Sequence, residues 1–255
     1  MFPDSNRQIE RELVSIDNIV IGGLQTLTIT PQGPPTTLQL IREVKLDDRC
    51  LNVAAHGEDV YVGTQNGNIL KIDKNGQWKK FVSINGNSVG LVTHCGTLLI
   101  SNTETSKTCI YQYDLGTQQQ VRFWGHSDKS IVWGSRMVIT QNQLVVANVS
   151  NHRLTVYSLN GRLIRHINCP EFGRSCVCIC VSPSNPDVII VSDWESSRVF
   201  AVNLTTGDEL WTYSDISYPQ GIVSYGSEHV LVNKDSNKTE LWILNVNTGK
   251  IMQSS

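Results

Sequence analysis

The residues most suggestive of chemistry are Cys176, Cys178 and Cys180, which alternate along one apolar run. In an extended strand every second side chain points the same way, so three thiols share a face. Same-face thiolates could hold a soft metal. The run Cys176–Val181 is apolar on both faces, however, and buried cysteine packs as a small hydrophobe. Core packing is therefore the expectation. The seven cysteines are odd in number and fit neither a disulfide framework nor a two-knuckle zinc site. Free thiols in a reducing, cytoplasmic setting are expected. Met1–Glu12 carries no apolar stretch of the secretory kind. The six histidines are scattered through the chain. The sequence contains no His-Glu-x-x-His, no Gly-x-Ser-x-Gly, no phosphate-cradling glycine loop and no Cys/His nucleophile pair. Nothing in it calls for a catalytic residue, a metal or a cofactor.

The elements that would position a site are legible as a repeat. In 255 residues, Val62, Ile100, Val146, Val191 and Val232 mark equivalent β-rich runs at intervals of 38, 46, 45 and 41. A glycine-bearing turn follows each second run, at Gly76, Gly116, Gly161, Gly207 and Gly249, with intervals of 40, 45, 46 and 42. Each unit holds four short runs separated by turn residues. Four-stranded units of this length are the mark of a propeller blade. A sandwich would not keep such a period. The arithmetic predicts a single all-β domain over 1–255. It is a six-bladed β-propeller of four-stranded antiparallel blades at about 14–46, 49–84, 87–127, 130–168, 173–214 and 217–255. Asn18–Ile21, Leu27–Thr30 and Leu38–Lys45 are the strand candidates of the most degenerate unit, which forms its own blade or completes the last. Ile9, Leu13 and Ile16 follow helical spacing, so residues 1–16 are a helical lead-in or a frayed outer strand.

The third unit carries the most specific pattern. It runs Asn148, then Asn151-His152-Arg153, an apolar alternation to Tyr157, and Asn160-Gly161-Arg162. The fourth echoes it with Asp193 and Arg198. This resembles the NHL repeat of β-propellers. The second and fifth units match less well, with Asn102 and Lys234 at the polar position. WD-type landmarks are missing apart from an isolated Trp124-Gly125-His126. The resemblance implies a propeller like that ending tripartite-motif proteins. There it recognises substrate proteins for ubiquitin transfer or binds single-stranded RNA. This chain has no RING or B-box zinc spacing and would transfer nothing itself.

The physics of the motif is structural first. Asn or Asp can bond backbone in the turn between second and third strands, and Arg can lie across it. The pairs Asn148/Arg153 and Asp193/Arg198 are expected to fasten blades. The same turns line one rim, and loops on a rigid scaffold are where binding sits. The candidate partner-binding set is Trp194, Arg198, Phe172, Arg174, Tyr218, His152 and Arg153, since aromatics with arginines anchor interfaces. The RNA alternative uses Lys129, Arg153, Arg174 and Arg198 with the same aromatics. Eight basic and nine acidic residues on this rim do not make the positive track RNA needs. A net charge of −2 gives no pull toward DNA or membrane, and no apolar run is long enough to span a bilayer. A non-catalytic protein-interaction platform is the expectation. A lyase or hydrolase with an axial metal is disfavoured, because the inner runs (Leu51–Ala54, Val89–Thr93, Ile131–Trp133, Cys176–Val181, Gly221–Ser224) offer few ligands.

Overall fold

The computed structural model describes residues 19–21, 25–27, 44–104, 107–125, 136–170, 172–173, 177–234 and 240–254. The hairpin β1 (Ile19–Ile21) and β2 (Gln25–Leu27) comes first. Five four-stranded sheets follow. Blade 1 is β3 (Cys50–His56), β4 (Asp59–Thr64), β5 (Asn68–Ile72) and β6 (Trp78–Ser83). Blade 2 is β7 (Asn87–His94), β8 (Thr97–Glu104), β9 (Lys107–Asp114) and β10 (Gln120–Gly125). Blade 3 is β11 (Met137–Thr140), β12 (Gln143–Asn148), β13 (Arg153–Ser158) and β14 (Leu163–Asn168). Blade 4 is β15 (Val177–Ser182), β16 (Asn185–Asp193), β17 (Arg198–Asn203) and β18 (Glu209–Tyr213). Blade 5 is β19 (Pro219–Tyr225), β20 (His229–Lys234), β21 (Glu240–Asn245) and β22 (Ile251–Ser254). Every sheet is an antiparallel meander in chain order.

The blade count among the described residues is therefore five, not the six expected. Dividing the chain by the period assumes that every segment pairs fully. Among the described residues the first segment supplies only the β1–β2 hairpin, with β1 against both β19 and β3. The helical lead-in expected at residues 1–16 lies outside the described residues. The expected inner run Ile131–Trp133 lies outside them too; Met137–Thr140 forms the inner strand of blade 3.

Blades stack because each sheet is apolar on both faces. Leu98, Leu99 and Ile100 are consecutive and fully buried. Leu98 and Ile100 pack toward Tyr61, Ile69 and Phe81 of blade 1. Leu99, pointing the other way, packs on Met137 and Leu144 of blade 3. In blade 4, Ile189 and Val191 meet Val145 and Val156 of blade 3, while Ile190 meets Val230 and Val232 of blade 5. Each such side chain contributes about 1.5–3 kcal/mol when fully buried. Cys180 joins the core between blades 4 and 5, and Cys178 is also buried.

Polar groups tie the stack at set heights. Thr93 Oγ1 donates to the Ala55 carbonyl at 2.5 Å and Ser224 Oγ to the Val181 carbonyl at 2.6 Å. Ser192 Oγ donates to the Gln220 carbonyl at 2.6 Å, and Trp211 Nε1 to the Val246 carbonyl at 2.7 Å. The register between third and fourth strands shifts in every blade. In blades 2 to 5 the slipped outer-strand residues are Val121, Ile164, Leu210 and Met252, all exposed. Such bulges add twist to the outer edge and blunt it against strand pairing.

The turns after the third strands repeat one device. Asp73, Asp114, Asn203 and Asn245 each accept backbone N–H groups from the turn that follows. The chain then needs one residue at positive φ. Gly76, Gly161, Gly207 and Gly249 supply it; in blade 2 the residue is Gln118 at φ +60°, in the turn that carries Gly116.

Candidate partner-binding rim

In such a meander the second-to-third turns and the fourth-to-first connections emerge at one end of the disc. Their geometry is set by a buried polar residue at the end of each second strand. Asn102 Nδ2 donates to the Asn85 carbonyl in the segment entering blade 2. Asn148 Oδ1 accepts from Asn151 N at 3.3 Å, capping the short 3-10 turn Val149–Asn151. Asp193, fully buried, accepts Gly173 N on Oδ2 at 2.6 Å. Its Oδ1 takes Glu195 N at 3.1 Å and Ser196 N at 3.2 Å. One carboxylate thus clips its own turn to the chain entering the blade. In blade 5 the equivalent residue is buried Asn233, whose Oδ1 accepts Gly221 N. Lys234, expected at the polar position, is one residue past it.

These clips need close backbone approach. A Cβ on Gly173 would stand 2.6 Å from Asp193 Oδ1, and one on Gly221 2.6 Å from Asn233 Oδ1. Asn233, Gly173 and Gly221 were not singled out from the sequence. The only signal is a glycine at the entrance to each of these two blades.

The expected site residues fall into three groups. Trp194 and Tyr218 come together at the rim, with ring centroids 5.1 Å apart and planes tilted by 38°. Trp194 is in the second-to-third turn of blade 4, and Tyr218 is in the connection to blade 5. Tyr218 is 49 % exposed and sits at φ +53°. The Trp194 indole nitrogen is buried and meets no hydrogen-bond acceptor among the described residues.

A second group is structural. Phe172, expected as an exposed aromatic, is 2 % exposed and packs edge-on against Phe200 at 5.7 Å. Its place in a connection suggested the surface, but the blade 3–blade 4 core takes the ring. Its carbonyl lies 2.6 Å from His152 Nδ1. His152, at φ +49°, thereby ties the blade 3 turn to the same connection. The Arg198 side chain is only 11 % exposed. Its guanidinium lies 4.2 Å over the Phe200 ring and 3.4 Å from Glu209 Oε2. Arg198 therefore spans the blade from turn to outer strand and presents little charge to a ligand. Arg153, at the matching position of blade 3, is half-buried. The third group, Arg174 and Lys129, lies outside the described residues.

The five inner strands enclose an axial cavity of about 410 Å³. Its lining is mainly aliphatic, with Asn52, Thr93 and Ser224 among the polar exceptions. Arg136 is the one charged lining residue among the described residues, and its Nη1 donates to the Leu51 carbonyl of blade 1 at 2.7 Å. Burial pushes the nearby Cys50 thiol up to about 11, against the pull of the Arg136 charge. Among the described residues no three His, Cys, Asp or Glu side chains are grouped to hold a metal. No helix among them is long and apolar enough to cross a membrane.

These features define a β-propeller with antiparallel four-stranded blades, and solved structures agree on that class. A chain of the nidogen/laminin complex superposes with a TM-score of 0.74 at 10 % identity, over 94 % of this chain and 91 % of that one. Streptogramin B lyase gives 0.63 at 13 % identity, over 81 % of this chain and 68 % of that one. The WD40 β-propeller domain of Doa1 gives 0.60 at 12 % identity, over 92 % and 73 %. Such low identities establish the fold alone. No family model matches the chain, and no curated protein matches it.

Proposed function

We propose that this propeller is a non-catalytic binding platform that recognises a protein partner through the rim at Trp194 and Tyr218. The observation that carries this reading is the Trp194–Tyr218 pair. It combines a half-exposed aromatic ring, a backbone in a sparsely populated conformation and an indole N–H without an acceptor. Strained residues of this kind cluster at ligand clamps, and Trp is enriched among interface hot spots. One structural neighbour comes from a complex of two proteins. The NHL-like run from Asn148 to Arg162 extends the reading to the substrate-recognition end of a tripartite-motif-type ubiquitin ligase.

The test is crosslinking and affinity capture with the full chain, comparing wild type with Trp194→Ala. Loss of a reproducible partner in the variant, at unchanged stability, supports the reading. An identical partner set overturns it. Single-stranded RNA is the competing ligand class. Saturable RNA binding that falls steeply between low and physiological salt, and survives Trp194→Ala, would transfer the function to the basic residues.

A further inference from the structure

We propose that the Tyr218 ring is a displaceable stand-in for an aromatic side chain of the partner, held against Trp194 until the partner takes its place. This rests on the rim reading above. The backbone carries the first argument. A bulky aromatic at φ +53° is an outlier among non-glycine residues, and the following Pro219 favours extended backbone at position 218. The contact between the Tyr218 and Trp194 rings, at 5.1 Å, opposes that preference. Departure of the ring from Trp194 therefore lets the backbone relax.

The indole carries the second argument. A buried Trp N–H ordinarily has a partner, as Trp211 has in the Val246 carbonyl. The Trp194 Nε1 is buried with none. A main-chain carbonyl next to the incoming aromatic supplies the missing acceptor. Charge then narrows the ligand. Glu195 follows Trp194, Asp215 precedes Tyr218 by three residues, and both are exposed. The segment that fits is extended, with an aromatic side chain flanked by lysine or arginine.

The experiment follows the Trp194 indole resonance of the full chain by NMR, assigned with Trp194→Phe. The probe is the N-acetylated, C-amidated tripeptide Lys-Tyr-Lys. The expected result is a saturable shift of that resonance, with affinity at least fivefold higher in Tyr218→Gly, where the competing ring and its strain are both removed. The tripeptide Glu-Tyr-Glu is expected to bind at least fivefold more weakly. An unmoved Trp194 resonance, or equal affinity in wild type and Tyr218→Gly, overturns the proposal. The natural partner separates this failure from that of the platform. If Trp194→Ala loses the partner while Tyr218→Gly binds it like wild type, the platform stands and the displacement falls. If neither variant changes partner binding, both fall.

Discussion

Replacement of Asp193 by alanine tests whether the rim is held by buried polar clips. The carboxylate is fully buried and accepts three N–H groups. Hydrogen bonds to a charged acceptor contribute about 1.5–3 kcal/mol each. The Gly173 bond, at 2.6 Å, joins two segments 20 residues apart and belongs in that range. Glu195 and Ser196 are exposed, so their N–H groups regain water and contribute roughly 0.5 kcal/mol each. Removing the ion also ends its desolvation cost, which offsets part of the sum. A net loss of roughly 2–3 kcal/mol is expected for Asp193→Ala. Asp193→Asn keeps an acceptor for the turn but sets an NH2 against the Gly173 N–H, so it should cost about half as much. The assay is urea denaturation followed by circular dichroism, with amide exchange at Gly173 as the local probe. A stability change below about 0.5 kcal/mol, or unaltered Gly173 protection in Asp193→Ala, refutes the reasoning.

Three further outcomes follow from particular residues. Gln118→Gly should stabilise the protein by about 0.5–1 kcal/mol, because Gln118 holds a φ of +60° that glycine adopts freely; a calorimetric melting scan measures it. Gly249→Ala should destabilise by about 2 kcal/mol or more, since the residue sits at φ +66° and a Cβ would lie 2.8 Å from Trp211 Cδ2; denaturant titration checks it, and Gly226→Ala, at φ +61° with open space around it, isolates the backbone share. Burial raises the Cys50 and Cys169 thiols to about 11, so both stay protonated at pH 8. Exposed Cys95 should therefore be alkylated by iodoacetamide at least tenfold faster than either in a peptide-mapped time course, with the gap persisting up to pH 9.

The sequence by itself determined the repeat and the local structure of its unit. Alternation, turn residues and glycine spacing act over a few residues, so four strands per unit and the turns at Gly76, Gly161, Gly207 and Gly249 could be read directly. The role of Asp193 as a turn fastener was legible for the same reason: an acid bonding N–H groups two and three residues ahead is a local event. Only the tertiary structure decided what depends on neighbouring blades. Five full blades, with a hairpin between the last and the first, depend on which segments find pairing partners around the axis. Phe172 and Trp194 are both aromatics in connecting segments, yet one fills the blade 3–blade 4 core while the other meets Tyr218 at the rim. Asn233 takes the clip position because its Oδ1 meets the N–H of Gly221, a contact between two segments that the local sequence does not encode. Gln118 takes the left-handed position in the Gly116 turn, where its N–H reaches the Asp114 carbonyl at 2.9 Å. Local preference gave the parts, and the packing of blade on blade selected which of their side chains face the core and which lie at the rim.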